Sequence, residues 1–320
     1  MQNISVYFNQ RASNAGYDWK NKINSALFRS QIDFKSPSNL DELYTHLDQD
    51  LTNNVDAILS VGGDGTVNTI IQRLAGTDVG LLVIPGGTAN DFAQMIGSSS
   101  NIKRISQTIR QNIRKKIDLI SINGTFMATN GGIGFASEVA SEVNELRKEH
   151  PHFKKLMRVL GKNIYSILLA KKLLLKNITT YKLKIETEYF NEIVFSPLVL
   201  INNQPVLGGS FEVARNTNHQ DGKFNLTIFK HSNRLELIQC LIKIMSGSFP
   251  YDDKNIISME IEEAKIQLLD SSHPIAFFGD GEIFQNGFEW NIKILPQSLN
   301  VFSPNDQKDL SNLCTQVTLM

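Results

Sequence analysis

The sequence has no excess of charge of either sign and very little cysteine. Its 320 residues include 32 Lys and Arg and 32 Asp and Glu. The chain as a whole therefore produces no electrostatic field that would favour nucleic acid as a partner. Cys240 and Cys314 are far apart and match no metal-binding spacing, so we expect plain thiols in a reducing compartment. Residues 1–6 lack a basic region and lead directly into a strand-like segment, which predicts a cytoplasmic protein.

The chain also lacks a hydrophobic run of the roughly 20 residues that a membrane-spanning helix needs. Its most apolar stretch, residues 164–175, is interrupted by Lys171 and Lys172. The surrounding segment 152–176 combines lysines with apolar residues at helical spacing. That pattern is typical of a helix on an anionic lipid surface, and equally of a helix packed on its own domain with its lysines in water. We expect any membrane association to be peripheral.

Two patterns divide the chain. In residues 1–125, apolar runs such as 57–61 and 80–84 end in glycines and precede helical stretches, which predicts an α/β nucleotide-binding domain with a parallel sheet. Residues 126–296 are rich in β segments, among them 193–201 and 256–269. Several of these segments alternate polar and apolar residues, so we predict a β-sandwich or barrel for the second domain.

Glycine-rich turns follow two of the predicted strands of the first domain. The sequence SVGGDGTVN at residues 60–68 runs from a buried strand into a helix, and IPGGTANDFA at 84–93 repeats the pattern. Glycines let the backbone approach phosphate oxygens, and a helix N-terminus offers free N–H donors. Two such turns at neighbouring strand ends would form one crevice at the carboxyl edge of the sheet. The predicted occupant is a nucleotide, although neither turn is a Walker loop.

These turns, GGDGT at 62–66 and PGGTANDFA at 85–93, resemble the diacylglycerol kinase catalytic domain, and more narrowly the soluble bacterial lipid kinases of that superfamily. The GGDGT sequence is shared with NAD kinases and sphingosine kinases, whereas NDFA and a late DGE are typical of lipid kinases. The likeness continues in chain order through residues 117–119, 132–135, 208–209, 221–222 and 280–282.

The resemblance implies a Rossmann-like first domain of the NAD kinase and diacylglycerol kinase type, with residues 297–320 returning to complete it. Residues 126–296 would then form the lipid-substrate domain. The implied activity is the ATP- and Mg²⁺-dependent phosphorylation of a hydroxyl on a membrane lipid, with diacylglycerol, converted to phosphatidic acid, as the leading substrate. The expected partner is lipid at the membrane surface and not nucleic acid. The oligomeric state is left open, and a homodimer is compatible with the sequence.

The resemblance also implies roles for individual residues. Asp64 and Asp118 correspond to active-site aspartates near the catalytic Mg²⁺, and Glu282 corresponds to the general base. Mg²⁺ prefers such hard oxygen ligands, and phosphoryl transfer needs mainly positioning and charge neutralisation. The residues implied in nucleotide binding are Asn9, Ser36, Gly62, Gly63, Asp64, Gly65, Thr66, Val67, Asn68 and Thr88.

Some positions depart from the family pattern. Asn9 occupies the place of an NPxSG-like loop whose proline and glycine are missing, and Ala136 stands where the family often has an aspartate. A second, structural Mg²⁺ is implied at the side chains of Asn218 and Asp221 and the main-chain carbonyl of Lys223. Because Asn218 replaces an aspartate and brings no charge, an ordinary Asp-Gly turn is the alternative.

Two other functions stay open at this point. One is a NAD kinase acting on a soluble nucleotide, which is weakened because no second acidic NE-type motif is present to bind the adenosine ribose. The other is a non-catalytic nucleotide or lipid sensor. A sensor has no need of a general base, so the presence of Asp64, Asp118 and Glu282 together counts against it.

Overall fold

The structure is a computed structural model that describes residues 2–9, 18–87, 90–149, 168, 178–208 and 211–303. The segment 152–176, predicted as a basic helix, therefore lies outside the described residues apart from Leu168. Within the described residues no helix is long and apolar enough to cross a membrane. The helices are α1 Trp19–Ala26, α2 Leu40–Thr52, α3 Asp64–Leu74, α4 Asp91–Met95, α5 Ile102–Arg110, α6 Phe135–Glu149 and α7 Arg234–Met245.

The strands of the first part of the chain are β1 Asn3–Phe8, β2 Gln31–Lys35, β3 Ala57–Gly62, β4 Gly80–Pro85, β5 Arg114–Ile122, β6 Thr125–Met127 and β7 Asn130–Gly134. The strands of the second part are β8 Tyr181–Thr187, β9 Asn191–Ser196, β10 Leu198–Asn202, β11 Val206–Leu207, β12 Phe211–Glu212, β13 Phe224–Phe229, β14 Ile256–Ile261, β15 Glu263–Leu269, β16 Ile275–Gly279, β17 Glu282–Gly287 and β18 Glu289–Phe302.

The N-terminal strands form the predicted parallel sheet in the order β2-β1-β3-β4. Every residue of β3 is buried, as is usual for a parallel strand with helices on both faces. Ile58 packs toward α2 and α3 in one apolar cluster, and Leu59 packs toward α1 and α5 in another. Neighbouring residues of β3 thus point into two different cores, and this holds the strand between two layers of helices.

The C-terminal part is an antiparallel β-sandwich, as predicted. Its first layer is a six-stranded sheet in the order β14-β13-β10-β7-β16-β17. Its second layer consists of the first half of β18 together with β15, β8 and β9, which extend the N-terminal sheet. Ile201 and Phe277 from the first layer and Ile185, Ile266 and Trp290 from the second share one buried core.

Two apolar runs cross from one layer of the sandwich to the other, which their pattern did not predict. Segment 193–201 divides at Pro197 into β9 and β10, and segment 256–269 divides at Glu262 into β14 and β15. In each pair the two strands belong to different sheets. Both sheets face the same core, so the apolar pattern continues through the corner. The sequence therefore gives no sign that one strand ends there and another begins.

Strand β18 joins the two parts into one continuous ten-stranded sheet. Its first half pairs with β15 and β5, and its second half pairs with β5 and lies parallel to β4, with Val301 beside Leu81. The register shifts between Leu295 and Leu299, where three residues bulge out of the ladder. The end of the sandwich is therefore built into the N-terminal sheet.

Asp118 closes this bulge from the opposite strand, β5. Its side chain is fully buried, and its Oδ1 accepts the Gln297 N–H at 2.8 Å. Its Oδ2 accepts the Gly222 N–H at 2.8 Å, and its own N–H donates to the His219 carbonyl at 2.8 Å. A buried carboxylate with two N–H donors thus fastens both the bulge and the loop at 218–223 to β5.

Asp118→Asn should destabilise the fold, because the amide nitrogen would face one of the two buried N–H donors. We expect a loss of about 2–3 kcal/mol in the free energy of unfolding, measured by urea denaturation. The matched control is Asp221→Asn in the same loop, an exposed position where the change should stay within about 0.5 kcal/mol. Equal stability of the two variants would contradict the role assigned to Asp118.

Candidate active site

The two glycine turns meet backbone to backbone at the carboxyl ends of β3 and β4. The Gly86 N–H donates to the Gly62 carbonyl at 2.8 Å. A Cβ atom on Gly87 would lie 2.7 Å from the Gly63 Cα, and one on Gly63 would lie 3.1 Å from the Gly87 Cα. Contacts below 3.0 Å leave no room for a side chain, so the turns are packed as tightly as two backbones allow.

Asp64, the first residue of α3, is held by the second glycine turn. Its Oδ2 accepts the Asn90 N–H at 2.8 Å. Asn90 adopts the left-handed conformation, with φ of 55°, which asparagine tolerates better than most residues. Its side chain accepts the Gly87 N–H at 2.8 Å and donates to the Gly87 carbonyl at 3.0 Å. Asn90 therefore closes its own turn and links it to Asp64, a role that the motif alone does not reveal.

Asn9 lies beside the first turn, where the resemblance placed it. Its N–H donates to the Val61 carbonyl at 3.1 Å, and its side-chain Nδ2 donates to Thr66 Oγ1 at 2.7 Å. Asn9 thus ties the end of β1 to the start of α3. Thr88, which was also predicted to bind nucleotide, lies outside the described residues.

Val67 and Asn68 also border the cleft, although their side chains make contacts elsewhere. Val67 is buried in the core beneath α3. Asn68 Nδ2 donates to Asp280 Oδ2 at 2.7 Å and to the Phe126 carbonyl at 3.2 Å, so it points toward the second domain. Ser36 does not line the cleft, although its neighbour Pro37 does.

Asp280, the first residue of the DGE sequence, makes contacts that the resemblance did not imply. It forms the two-residue turn between β16 and β17 with Gly281, with φ of 51° and 80°, as in the type I′ turns that favour Asp-Gly. Its carboxylate is 9% exposed. It accepts four short hydrogen bonds, from Ala128 N–H at 3.0 Å, Thr129 N–H at 2.8 Å, Thr129 Oγ1 at 2.7 Å and Asn68 Nδ2 at 2.7 Å.

Glu282 begins β17 and reaches the first glycine turn. A Cβ atom on Gly65 would lie 2.9 Å from Glu282 Oε1, so the carboxylate occupies the space that this glycine leaves free. The structure therefore places the Glu282 carboxylate against Gly65, the residue that follows Asp64. It does not bring Asp118 to them, because Asp118 does not line the cleft and turns its oxygens toward the β18 bulge.

One cleft of about 1130 Å³ contains this arrangement. Its polar end is formed by the glycine turns together with Asp64, Asp280 and Glu282. Its other end has an apolar wall from α6, β16, β17 and the β11–β12 hairpin. The residues of this wall are Ala136, Val139, Ala140, Leu207, Phe211, Phe278, Ile283 and Phe284.

The polar end suits a magnesium ion. Burial raises the pKa of Asp64, hydrogen bonding from Asn90 lowers it, and the charge of Asp280 raises it further. A cation bound here would stabilise the ionised carboxylate. Mg²⁺ usually takes one or two carboxylates and keeps waters and phosphates as its other ligands. Asp64 fits that demand, whereas the Asp280 carboxylate accepts four hydrogen bonds from its own surroundings.

The second predicted metal site has a different geometry. Asn218, Asp221 and Lys223 are exposed. Asn218 Oδ1 accepts the Gln220 N–H at 3.2 Å, and Asp221 Oδ1 accepts the Lys223 N–H at 3.0 Å, so both side chains turn back onto the loop. In the described part of the chain, no three His, Cys, Asp or Glu side chains converge at this loop. A structural Mg²⁺ here stays a prediction.

Comparison with known proteins agrees with this architecture. The family model of the diacylglycerol kinase catalytic domain matches residues 6–122, and that of the YegS C-terminal NAD kinase beta sandwich-like domain matches residues 134–303. Together they define the class, an α/β domain of the diacylglycerol kinase type followed by a β-sandwich of the NAD kinase type. The chain belongs to the diacylglycerol kinase family, in the branch with the YegS-type C-terminal domain.

Individual relatives are distant. A Staphylococcus haemolyticus protein provisionally named a lipid kinase is 29% identical over 57% of this chain and 56% of its own length. The diacylglycerol kinase of Bacillus subtilis is 28% identical over 67% of each chain. The solved structure of a Bacillus anthracis protein, provisionally named a diacylglycerol kinase, has a TM-score of 0.75 at 22% identity and covers 95% of this chain and 96% of its own. The match spans little more than half of the first relative, and the solved structure shows the fold alone.

The two glycines that border Asp64 should respond differently to alanine. At Gly65 the new methyl group meets only the flexible end of Glu282, whereas at Gly63 it meets the Gly87 backbone. Gly65→Ala should keep its melting temperature within about 2 °C, since alanine also favours the helix. Gly63→Ala should lose about 1–3 kcal/mol of stability by overpacking. Thermal unfolding measures both, and comparable losses would show that Glu282 is not placed against Gly65 as described.

Proposed function

We propose that this chain is an ATP- and Mg²⁺-dependent lipid kinase that phosphorylates a hydroxyl of a membrane lipid, with diacylglycerol as the substrate and phosphatidic acid as the product. The observation that carries the proposal is that one cleft joins the paired glycine turns to an apolar wall. A kinase with a lipid acceptor needs both features in one cavity. Its substrate would be reached by peripheral contact with the bilayer.

The polar end would bind the nucleotide. The turns at 62–66 and 86–87 expose backbone at the N-terminus of α3, where free N–H groups and the helix dipole attract phosphate. Asp64 would hold Mg²⁺, which when bound neutralises charge on the phosphates. Asn9 and Asn90 hold the two turns in place around this position.

Glu282 would act as the general base. The lipid hydroxyl oxygen forms the new bond to the γ-phosphorus, the bond from that phosphorus to the ADP oxygen breaks, and the hydroxyl proton passes to Glu282. Asp280 is a positioning residue for this step, since its hydrogen bonds fix the hairpin from which Glu282 extends. Such fixed placement is the main demand of phosphoryl transfer.

The apolar end favours a lipid over NAD as the acceptor. Ala136, Val139 and Ala140 line the cleft with small apolar side chains from α6, and Phe278 and Phe284 line it from the β16–β17 hairpin. Acyl chains gain free energy from such a surface, at about 0.8 kcal/mol per buried methylene. The two ribose groups of NAD would instead require polar partners for their hydroxyl groups.

The deciding experiment is an assay with γ-labelled ATP on a panel of lipids in mixed micelles, with NAD as a separate acceptor. The panel contains diacylglycerol, phosphatidylglycerol, ceramide and a sphingoid base. We expect label in a phosphorylated lipid, foremost in phosphatidic acid, and none in NADP. Label in NADP alone would establish the NAD kinase alternative, and binding of ATP and lipid without any transfer would favour a sensor.

Glu282→Gln keeps the size of the side chain and removes its basicity. The turnover number should fall about 10²- to 10⁴-fold, the usual contribution of general acid–base catalysis, with little change in the KM for ATP. Steady-state kinetics on the lipid that takes up label measures both quantities. The matched control is Glu263→Gln at an exposed position of β15, which should behave as wild type. Normal turnover in Glu282→Gln would remove the residue from the mechanism.

Ala136→Phe should weaken lipid binding selectively. Ala136 is only partly buried and lines the apolar wall. A phenylalanine ring at this position should therefore fit the fold but occupy the space of the acyl chains. We expect the KM for long-chain diacylglycerol to rise about tenfold, the equivalent of about 1.4 kcal/mol, with the KM for ATP unchanged. A short-chain diacylglycerol provides the internal control and should be affected less. Equal effects on both lipids would place the acyl chains elsewhere.

A further inference from the structure

Three side chains with metal-binding atoms converge away from the cleft, beneath helix α7. His231 follows β13, Cys240 lies on the buried face of α7, and Asp253 shortly precedes β14. A ring nitrogen of His231, the Cys240 sulfur and a carboxylate oxygen of Asp253 all lie within 4.8 Å of one another. In the described ranges of the chain, no other three His, Cys, Asp or Glu side chains meet so closely.

The backbone around the cluster is fixed by the sandwich. Strands β13 and β14 pair with Phe229 opposite Ile256, and just beyond this pair the Lys230 N–H donates to the Asn255 carbonyl at 2.7 Å. Asp253 Oδ1 accepts the Asn255 N–H at 2.9 Å, which orients the carboxylate. A hydrogen bond that orients a ligating carboxylate is a usual feature of metal sites in proteins.

The donors are close to a ligating arrangement. His231 Nε2 lies 3.1 Å from Asp253 Oδ2. Two ligands about 2.0 Å from one tetrahedral ion stand about 3.3 Å apart. Binding through Nε2 requires the ring proton on Nδ1, which is buried and has no hydrogen-bond partner among the described residues. Without a metal the Asp253 carboxylate accepts a hydrogen bond from Nε2–H, so metal binding would displace that proton and leave the ring protonated on Nδ1.

The chemistry of the donors selects the ion. A set of nitrogen, sulfur and oxygen suits Zn²⁺ and similar transition metals, whereas Mg²⁺ and Ca²⁺ prefer oxygen alone. His231 and Cys240 are 3% and 2% exposed, and the Asp253 side chain is 27% exposed. The partly open side at Asp253 leaves room for a water molecule as the fourth ligand.

Charge also favours a divalent ion here. When the metal–sulfur bond forms, the S–H bond breaks and its proton passes to solvent, and the thiolate and the carboxylate together neutralise the two positive charges.

We propose that His231, Cys240 and Asp253 form a binding site for one Zn²⁺-class ion that fastens α7 to the β13–β14 edge of the sandwich. The site is separate from the cleft and does not depend on the proposed kinase activity. Its ligands are spread over 23 residues of sequence without a standard spacing. The three-dimensional arrangement is what brings them together.

The test is a cobalt titration of untagged, chelator-treated Cys314→Ala protein. Because the chain has only two cysteines, any thiolate-to-cobalt charge-transfer absorption in this variant comes from Cys240. We expect the band to saturate at one equivalent of Co²⁺, to disappear when Zn²⁺ is added, and to be unaffected by Mg²⁺. A folded Cys314→Ala protein without such a band would overturn the proposal.

Ligand variants in the same background complete the test. His231→Gln and Asp253→Asn should each weaken Co²⁺ binding by at least about 10- to 100-fold, since loss of even a supporting group has that effect. Asp252→Asn, a change at the exposed neighbouring carboxylate, should bind as the background does. Zn²⁺ should raise the melting temperature of the wild type but not of the ligand variants. Unchanged affinity in both ligand variants would show that the ion binds elsewhere.

Discussion

The structure depends on one buried negative charge, the carboxylate of Asp280. A charge removed from water is costly unless donors surround it, and here donors come from the β6–β7 turn and from α3 in the other domain. Burial raises the pKa of Asp280, against the opposing effect of hydrogen bonds from Thr129, Ala128 and Asn68. The hairpin that carries Glu282 is thereby held against the glycine turns at a defined distance.

The sequence predicts the local features of this site well. Continuous apolar runs followed by glycines indicate the parallel strands and their turns, and the Asp-Gly dipeptide at 280–281 is a strong hairpin signal. The close packing of Gly63 on Gly87 is not visible in either turn alone. Each turn needs its glycine because the backbone of the other turn, 24 residues away in the sequence, packs against it. The two motifs therefore constrain each other.

The structural features that the sequence patterns did not predict depend on contacts between segments that are distant in the sequence. Asp280 and Asn68 meet across 212 residues, and neither position has a periodicity that would indicate the pairing. Asp118 was expected near Asp64, but its surroundings are set by a register shift in β18, and register is decided by the whole sheet. The corners at Pro197 and Glu262 were hidden because both strands of each pair face one core.

The position of β18 has a consequence for synthesis on the ribosome. Strand β4 ends at Pro85, but the partner on its open side includes Val301, about two hundred residues later. At a translation rate of roughly 5–20 residues per second, the open edge of β4 stays unpaired for some ten to forty seconds before β18 has been synthesised. The N-terminal domain therefore cannot complete its sheet as an independent unit, and its unpaired edge has to be protected from other chains while the sandwich is still being made.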